Sequence, residues 1–176
     1  MMKKVILLIA LVVTPIMSFG QSMFDKLEDM DGVDAVIINK QAFEILSKFN
    51  VDIDDNEAMQ VFQMIKDLNE LKVFSTDKSS IAEQMNSMVG KAVKSSKLIE
   101  LMRLKEDESR VKIYVKSTGN KDIVSEVLMY VKGIDKRTNG MSEAAIISLT
   151  GSIDINKLSK IADTFTKNNK VNVKVN

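Results

Sequence analysis

Basic side chains and the only two tyrosines of the chain recur at alternate positions in its second half, where they could recognise a ligand. Successive side chains of a β-strand point to opposite faces of a sheet, so alternate residues share one face. We predict that this polar face is open to solvent and binds a protein partner or an anionic ligand. The predicted ligand-binding residues are Arg103, Lys112, Tyr114, Lys116, Tyr130 and Lys132, with Lys105 and Glu126 on the same face.

The residues between these positions are apolar, and we expect them to pack against helices on the opposite face of the sheet. An alternative is an ordinary water-facing sheet, in which Glu126 pairs across strands with Lys112 or Lys116. The residues expected to face the helices are Met102, Leu104, Val111, Ile113, Val115, Val127, Met129 and Val131.

Missing residue types exclude several kinds of active site. The chain has no cysteine, which excludes disulfides and thiol nucleophiles. It has no histidine, which excludes the Ser-His-Asp triad and histidine-ligated zinc. Its 25 basic residues balance 24 acidic ones, which argues against nucleic-acid binding. The sequence therefore predicts no catalytic residues, no metal site and no cofactor.

Carboxylates leave one enzymatic alternative open. Glu100, Glu126 and Glu143 lie on predicted strands, and a hydrolase or transferase could use two such groups without histidine. No spacing in the sequence shows that any two of them converge. We interpret them as partners in surface ion pairs.

An acidic run from Asp52 to Glu57 resembles the first half of a calcium loop. Glu57 stands where that loop requires glycine, and Gln63 stands where it requires a bidentate glutamate. We interpret the run as the first turn of a helix.

Methionines are frequent, and they could line an apolar groove of a small lipid carrier. We expect them to fill the core instead. They are Met59, Met64, Met85, Met88, Met102 and Met129.

The first twenty residues have the pattern of a secretory signal peptide. Lys3 and Lys4 precede an apolar run from Val5 to Val13, and the small residues Ser18 and Gly20 precede the predicted cleavage site. The apolar run is short for a membrane span. We predict a signal peptide over residues 1–20, a single globular domain over residues 21–176, and no membrane span in the mature chain.

Helical periodicity dominates the first half of the mature chain. We predict a short helix from Ser22, a strand in VDAVIIN, a helix in KQAFEILSKFN and a strand in LKVFST. Another helix is predicted after Asp54, with Leu68 on its apolar stripe. A capping box of Ser80 and Glu83 predicts the start of a further helix.

After about Ser95 the apolar residues no longer follow helical spacing but occupy alternate positions, which predicts strands. The chain then ends in a helix capped by Ser152 or Asp154, and residues 170–176 form either an edge strand or a frayed tail. Four consecutive strands with short connections predict an antiparallel meander. The predicted strands are 98–105, 110–117, 122–132 and 142–150.

Helices first and strands second are typical of the α+β class. We predict a twisted antiparallel sheet, built from the four-strand C-terminal meander and the two earlier strands, with helices packed on one face.

The mature chain resembles an exported bacterial domain-of-unknown-function family, numbered 4252, across nearly all of residues 22–165. The resemblance implies an exported domain with no established activity, so it transfers no functional residues. The matching segments are MFDKLEDMDGVDAVIINKQAFEIL, LKVFSTD, LIELMRLKED, VKIYVK, IVSEVLMYVKG and ISLTGSIDINKLSKIA.

We therefore expect an exported protein of the periplasm or cell envelope, acting as a non-enzymatic binding or interaction module. Its expected partner is an envelope protein or an anionic ligand. The alternatives are the carboxylate-based enzyme and the lipid carrier.

Overall fold

The computed structural model describes residues 22–46, 48, 66–134, 140 and 142–156. Three helices and six strands lie within these residues. In chain order they are α1 (Ser22–Glu28), β1 (Asp34–Asn39), α2 (Lys40–Leu46), β2 (Leu68–Thr76), α3 (Ser79–Ser95), β3 (Ile99–Glu106), β4 (Ser109–Ser117), β5 (Ile123–Lys132) and β6 (Ala144–Asp154).

All six strands form one antiparallel sheet with the order β1-β2-β6-β5-β4-β3. The last four strands of the sequence form the predicted meander. The two earlier strands extend the sheet because β2 pairs with β6 and β1 pairs with β2. The predicted α+β class, with an antiparallel sheet and helices packed on one face, is confirmed for α1 and α3. Helix α2 adds Phe43 to the opposite face.

Helices α1 and α3 cover one face of the sheet with a continuous hydrophobic core. Helix α3 buries residues at helical spacing, among them Ile81, Met85 and Val89. These side chains contact Phe74 of β2 and Ile146 of β6, the two residues that pair directly between neighbouring strands. Burial of this stripe orients the helix because the hydrophobic effect favours removing it from water.

Helix α3 starts differently from the prediction, and a backbone motif closes its other end. Lys78 is the N-cap residue, and no side chain caps the helix, so the predicted capping box of Ser80 and Glu83 is wrong. At the other end Lys97 has a φ of 54°, and the amide of Leu98 donates to the carbonyl of Val93 over 2.9 Å. This is the Schellman arrangement, which satisfies carbonyls that the helix leaves without partners.

A buried lysine connects α1 to the sheet. The Nζ atom of Lys72 lies 2.9 Å from Asp25 Oδ1 and 3.4 Å from Glu70 Oε2. Burial, the largest influence on Lys72, lowers its pKa, but the hydrogen bond to Asp25 and the charge of Glu70 together leave the pKa raised. The ammonium group is therefore held in its charged form beneath the helix.

Two element boundaries differ from the prediction. Leu68, expected on a helix, begins β2 and is buried, and Ser152, one of the two residues expected to cap a helix, lies within β6. The other, Asp154, ends β6, and its Oδ1 accepts a hydrogen bond from the Asn156 amide over 2.9 Å, as an N-cap does. The remaining parts of the helices predicted after Asp54 and near the C terminus lie outside the described residues. The same is true of the leader, the acidic run from Asp52 to Glu57, and residues 170–176.

Of the helices that the structure describes, none has the length and apolar character needed to cross a membrane.

Candidate functional site

Strand register places the six predicted ligand-binding residues on one face of the sheet. Arg103 of β3 lies opposite Lys112 of β4, and Lys112 lies opposite Tyr130 of β5. Tyr114 likewise lies opposite Leu128. The prediction that these six residues share one face of the sheet is therefore confirmed.

That face is not open, because it is the face that α1 and α3 cover. Tyr130 is only 2% exposed, and its hydroxyl donates a hydrogen bond to the carbonyl of Ala82 over 2.9 Å. Burial, together with the charges of Glu83 and Glu143, raises the pKa of Tyr130 to about 12. The expectation of an open Tyr-bearing face is wrong. Helix α3 packs on the face of β5 that carries Leu128 and Tyr130, and not on the face that carries the valines.

Two of the predicted basic residues contact α3 at its border. Lys132 forms an ion pair with Glu83 on the first turns of the helix. Its hydrogen bond and charge lower the pKa of Glu83. Lys112 donates to Asn86 Oδ1 over 3.4 Å. These lysines pair with the helix in the folded chain.

The other three predicted residues lie beyond the helix, towards the β3 edge. Arg103 is exposed and forms an ion pair with Glu100 over 2.6 Å. Lys116 is exposed and lies opposite Glu126, the cross-strand pair of the water-facing alternative. Tyr114 is half-buried, and burial raises its pKa. Ligand binding by the six residues stays a prediction, but a single open surface does not contain them all.

A charged cleft of about 540 Å³ lies between the β3–β4 turn, the end of β5 and the start of α3. Two hydrogen bonds hold the segments around this cleft together. Ser109 Oγ donates to the carbonyl of Gly133 over 2.7 Å, and the Gly133 amide donates to the carbonyl of Glu143 over 2.8 Å. The lining residues are Glu83, Lys105, Asp107, Glu108, Arg110, Lys132, Gly133 and Glu143.

Acid–base chemistry requires one carboxyl group that keeps its proton near neutral pH and another that loses it. The paired carboxylate of the cleft, Glu83, has a lowered pKa and so is a poor proton donor. Burial raises the pKa of Glu126, but Glu126 does not line the cleft. Within the described ranges, no group of three or more acidic side chains is placed to hold a metal ion.

The opposite face of the sheet is apolar across all six strands. Ile38, Leu71, Leu149, Val127 and Val115 follow one another from β1 to β4 as directly paired residues. A second hydrophobic cluster covers this face near the start of β2 and the end of β6, and Phe43 of α2 packs into it. The residues expected to face the helices thus lie on the side opposite α1 and α3, and of these Val115 and Val127 share their cluster with Phe43 of α2.

Strand β3, at one edge of this apolar face, is exposed along its whole length. Leu101 has no partner on β4, which marks a bulge between Glu100 and Met102. Met102 and Leu104 share their face with Ile113 and Val111 of β4. Four large apolar side chains of β3 are between 45% and 58% exposed: Ile99, Leu101, Met102 and Leu104.

This exposed edge is the candidate functional site, and we name it the β3 edge, comprising Ile99–Glu106. Soluble proteins usually protect a long edge strand, because its outward backbone groups can pair with another strand. They also rarely expose contiguous apolar surface without a binding role. Alternation in the sequence identified Met102 and Leu104 as apolar-face residues, but it gave no signal that their strand lies at the edge.

Comparison with known proteins gives a family but no activity. The chain matches the family described as Domain of unknown function (DUF4252) over residues 24–161. No curated protein and no solved structure matches the chain.

Proposed function

Because the chain belongs to the DUF4252 family, a domain of unknown function, we propose its role from its surfaces: an exported, non-enzymatic interaction module that binds a protein along the β3 edge. The observation that carries this proposal is the complete exposure of an eight-residue strand whose apolar side chains face solvent.

Strand addition is the binding mode that this edge fits. An extended segment of a partner can hydrogen-bond to an exposed strand, while its side chains contact the residues on either face. At the β3 edge one face offers Met102 and Leu104, and the other offers the charged side chains of Glu100, Arg103 and Lys105. Backbone pairing supplies affinity, and these two different faces supply specificity.

The charged cleft supports a binding role more than an enzymatic one. Its ion pair between Glu83 and Lys132 joins α3 to β5 and lowers the pKa of the glutamate. A carboxylate held in its charged form beside a lysine stabilises the fold, but it does not donate protons to a substrate near neutral pH.

Export to the periplasm or cell envelope is supported by the leader pattern of residues 1–20, with Lys3 and Lys4 before an apolar run and Ser18 and Gly20 before the cleavage site. A mature chain without cysteine depends on its packed core rather than on disulfides for stability.

Site-specific photo-crosslinking in the native cells tests the proposal. A photoreactive amino acid is placed at Leu104 or Leu101 of the β3 edge, and at Ser87, an exposed residue of α3, as the matched control. After irradiation the adducts are separated by mass.

We expect covalent protein adducts from both β3 positions and none from Ser87. Equal capture from Ser87, or the lack of any adduct from either β3 position, would overturn the β3 edge as the binding site.

A further inference from the structure

We propose that the partner at the β3 edge is a second copy of this chain, with the two β3 strands pairing antiparallel about a twofold axis. This inference rests on the proposed function, because it names the protein that the same edge binds. The paired sheets would continue across the axis, as one sheet of two copies.

Charge along β3 favours this orientation. Glu100 lies near the start of the strand, and Arg103 and Lys105 lie in its second half, all three on the same face of the sheet. Antiparallel pairing about the middle of the strand places Glu100 of each copy beside the basic residues of the other. Parallel pairing in register would instead oppose like charges, which destabilises a sheet.

The apolar face of β3 is also self-complementary. Ile99, Met102 and Leu104 lie on the face opposite the charged residues, at successive paired positions with β4. A twofold axis perpendicular to the sheet keeps each face on its own side. The exposed apolar residues of one copy then meet those of the other, and both sets leave water.

With Leu101 bulged out, as it is against β4, pairing centred on Met102 meets both requirements. Arg103 of each copy then lies opposite Glu100 of the other on one side of the joint sheet, and Leu104 lies opposite Ile99 on the other side. Among the described strands, β3 has eight residues and is exposed at every one, whereas β1 at the other edge has six. Over ~26 Å of strand, two identical edges can pair along most of their length.

Closed symmetry follows from this choice of edge. Pairing of β3 with β3 uses the same surface on both copies and stops at two. Pairing of β3 with β1 of the next copy would leave a free edge at each end and build open-ended assemblies.

The oligomeric state of the mature chain, residues 21–176, provides the first test. Sedimentation equilibrium of the purified protein should give a reversible monomer–dimer equilibrium. A protein that stays monomeric at millimolar concentration, or one that forms open-ended assemblies, would overturn the inference.

Charge exchange provides a test that misfolding cannot imitate. Glu100→Lys makes the charged face of β3 entirely basic, and the double variant Arg103→Glu with Lys105→Glu makes it entirely acidic. Each variant alone should weaken dimerisation by roughly tenfold or more, since like charges then face each other across the axis. Lys94→Glu on the exposed surface of α3 serves as the control and should dimerise like the natural chain.

An equimolar mixture of the two weakened variants should restore association, because acid again meets base at every contact. Recovery in the mixture supports antiparallel β3 pairing, and failure to recover overturns it. The photo-crosslinking experiment separates this inference from the proposed function. Adducts between β3 and a different protein, with a monomer in solution, would contradict the second copy while leaving the β3 edge as a binding site.

Discussion

The hydroxyl of Tyr130 donates a hydrogen bond to the carbonyl of Ala82 over 2.9 Å, which connects β5 of the sheet to the first turn of α3. Both residues are buried, and Tyr130 is among the largest fully buried side chains of the described residues. This contact identifies which face of the sheet the helices cover.

Tyr130→Phe should lower the free energy of unfolding by about 1 kcal/mol, because it removes a buried hydrogen bond without changing the packed ring. Urea denaturation of the mature chain measures the loss. Tyr114→Phe is the matched control and should change stability by less than about 0.5 kcal/mol, since Tyr114 is only half-buried and water can replace its contacts. A larger loss in the control than in Tyr130→Phe would contradict the role of the contact with Ala82.

The same tyrosine should make stability fall in alkaline solution. Its pKa of about 12 in the folded chain is above the ordinary value of 10.0, so the folded state keeps a proton that the unfolded state loses between these values. Its contribution is complete below pH 10 and decreases as the pH rises towards 12. Across that window the loss amounts to about 2–3 kcal/mol.

Urea denaturation at neutral pH and at about pH 11 tests this linkage in the natural chain and in Tyr130→Phe. The natural chain should lose more stability than the variant, because only it carries the titrating hydroxyl. Other groups, including Lys72, titrate in both proteins and cancel in the comparison. An equal alkaline loss in both would show that Tyr130 does not carry the effect.

Asp25→Ala should destabilise the fold by about 1 kcal/mol, since it leaves the buried Lys72 with Glu70 as its remaining acidic partner. The raised pKa of Lys72 means that the ion pair stabilises the fold below the ordinary pKa of 10.5, and that its contribution is lost as the pH rises through the folded-state value. Thermal or urea unfolding near neutral pH measures the change. Glu28→Ala, an exposed position on the same helix, is the control, and an equal loss there would argue against the ion pair.

Two glycines should respond in opposite directions to alanine. At Gly133, φ is +70° and a Cβ atom would lie 2.5 Å from the carbonyl oxygen of Glu108, so Gly133→Ala should cost at least about 2 kcal/mol. At Gly90, within α3, nothing beyond the adjacent residues and the backbone of the helix itself lies within 4 Å of the new Cβ, so Gly90→Ala should stabilise the chain by about 0.5–1 kcal/mol. Melting temperatures of the two variants check both signs. A neutral Gly133→Ala would show that the turn beside the charged cleft can relax.

Signal cleavage after Gly20 should give a mature chain that begins at Gln21. Mass measurement of the protein from an envelope fraction of the native cells checks this N terminus. Gly20→Leu should block processing, because the position before the cleavage site requires a small residue, whereas Met17→Leu should be processed normally. Full-length protein in the cytoplasm of the natural strain would contradict export.

Periodicity predicted the fold class because each described strand and helix has its own pattern. Ile81, Met85 and Val89 recur at helical spacing, and Val111, Ile113 and Val115 alternate, so the two kinds of element are distinct before any tertiary contact forms.

The face covered by α3 could not be predicted in the same way. In β5 the run from Val127 to Val131 is apolar or aromatic at every position, so both faces can pack against a helix. Alternation with Met129 and Val131 places Tyr130 on the face predicted to be open, yet its ring is buried and its hydroxyl has a backbone partner. Packing against α3 determines which face of β5 is buried, and alternation along the strand does not show which face that is.

The β3 edge was missed for a related reason. Met102 and Leu104 have the same side-chain character as the apolar residues of β4, but their exposure depends on the position of β3 in the strand order. Strand order is a property of long-range pairing and has no local sequence signal.

The central place of β6 constrains when the molecule can become folded. Ile146 of this strand pairs with Phe74 on one side and with Tyr130 on the other, so it joins two halves of the sheet that share no other strand. Strand β6 is also the last of the six to be synthesised. Neither Phe74 nor Tyr130 can be buried against Ile146 until Ile146 has been synthesised. Under the proposed export, the part of the chain that crosses first would therefore stay incompletely folded until β6 has also crossed.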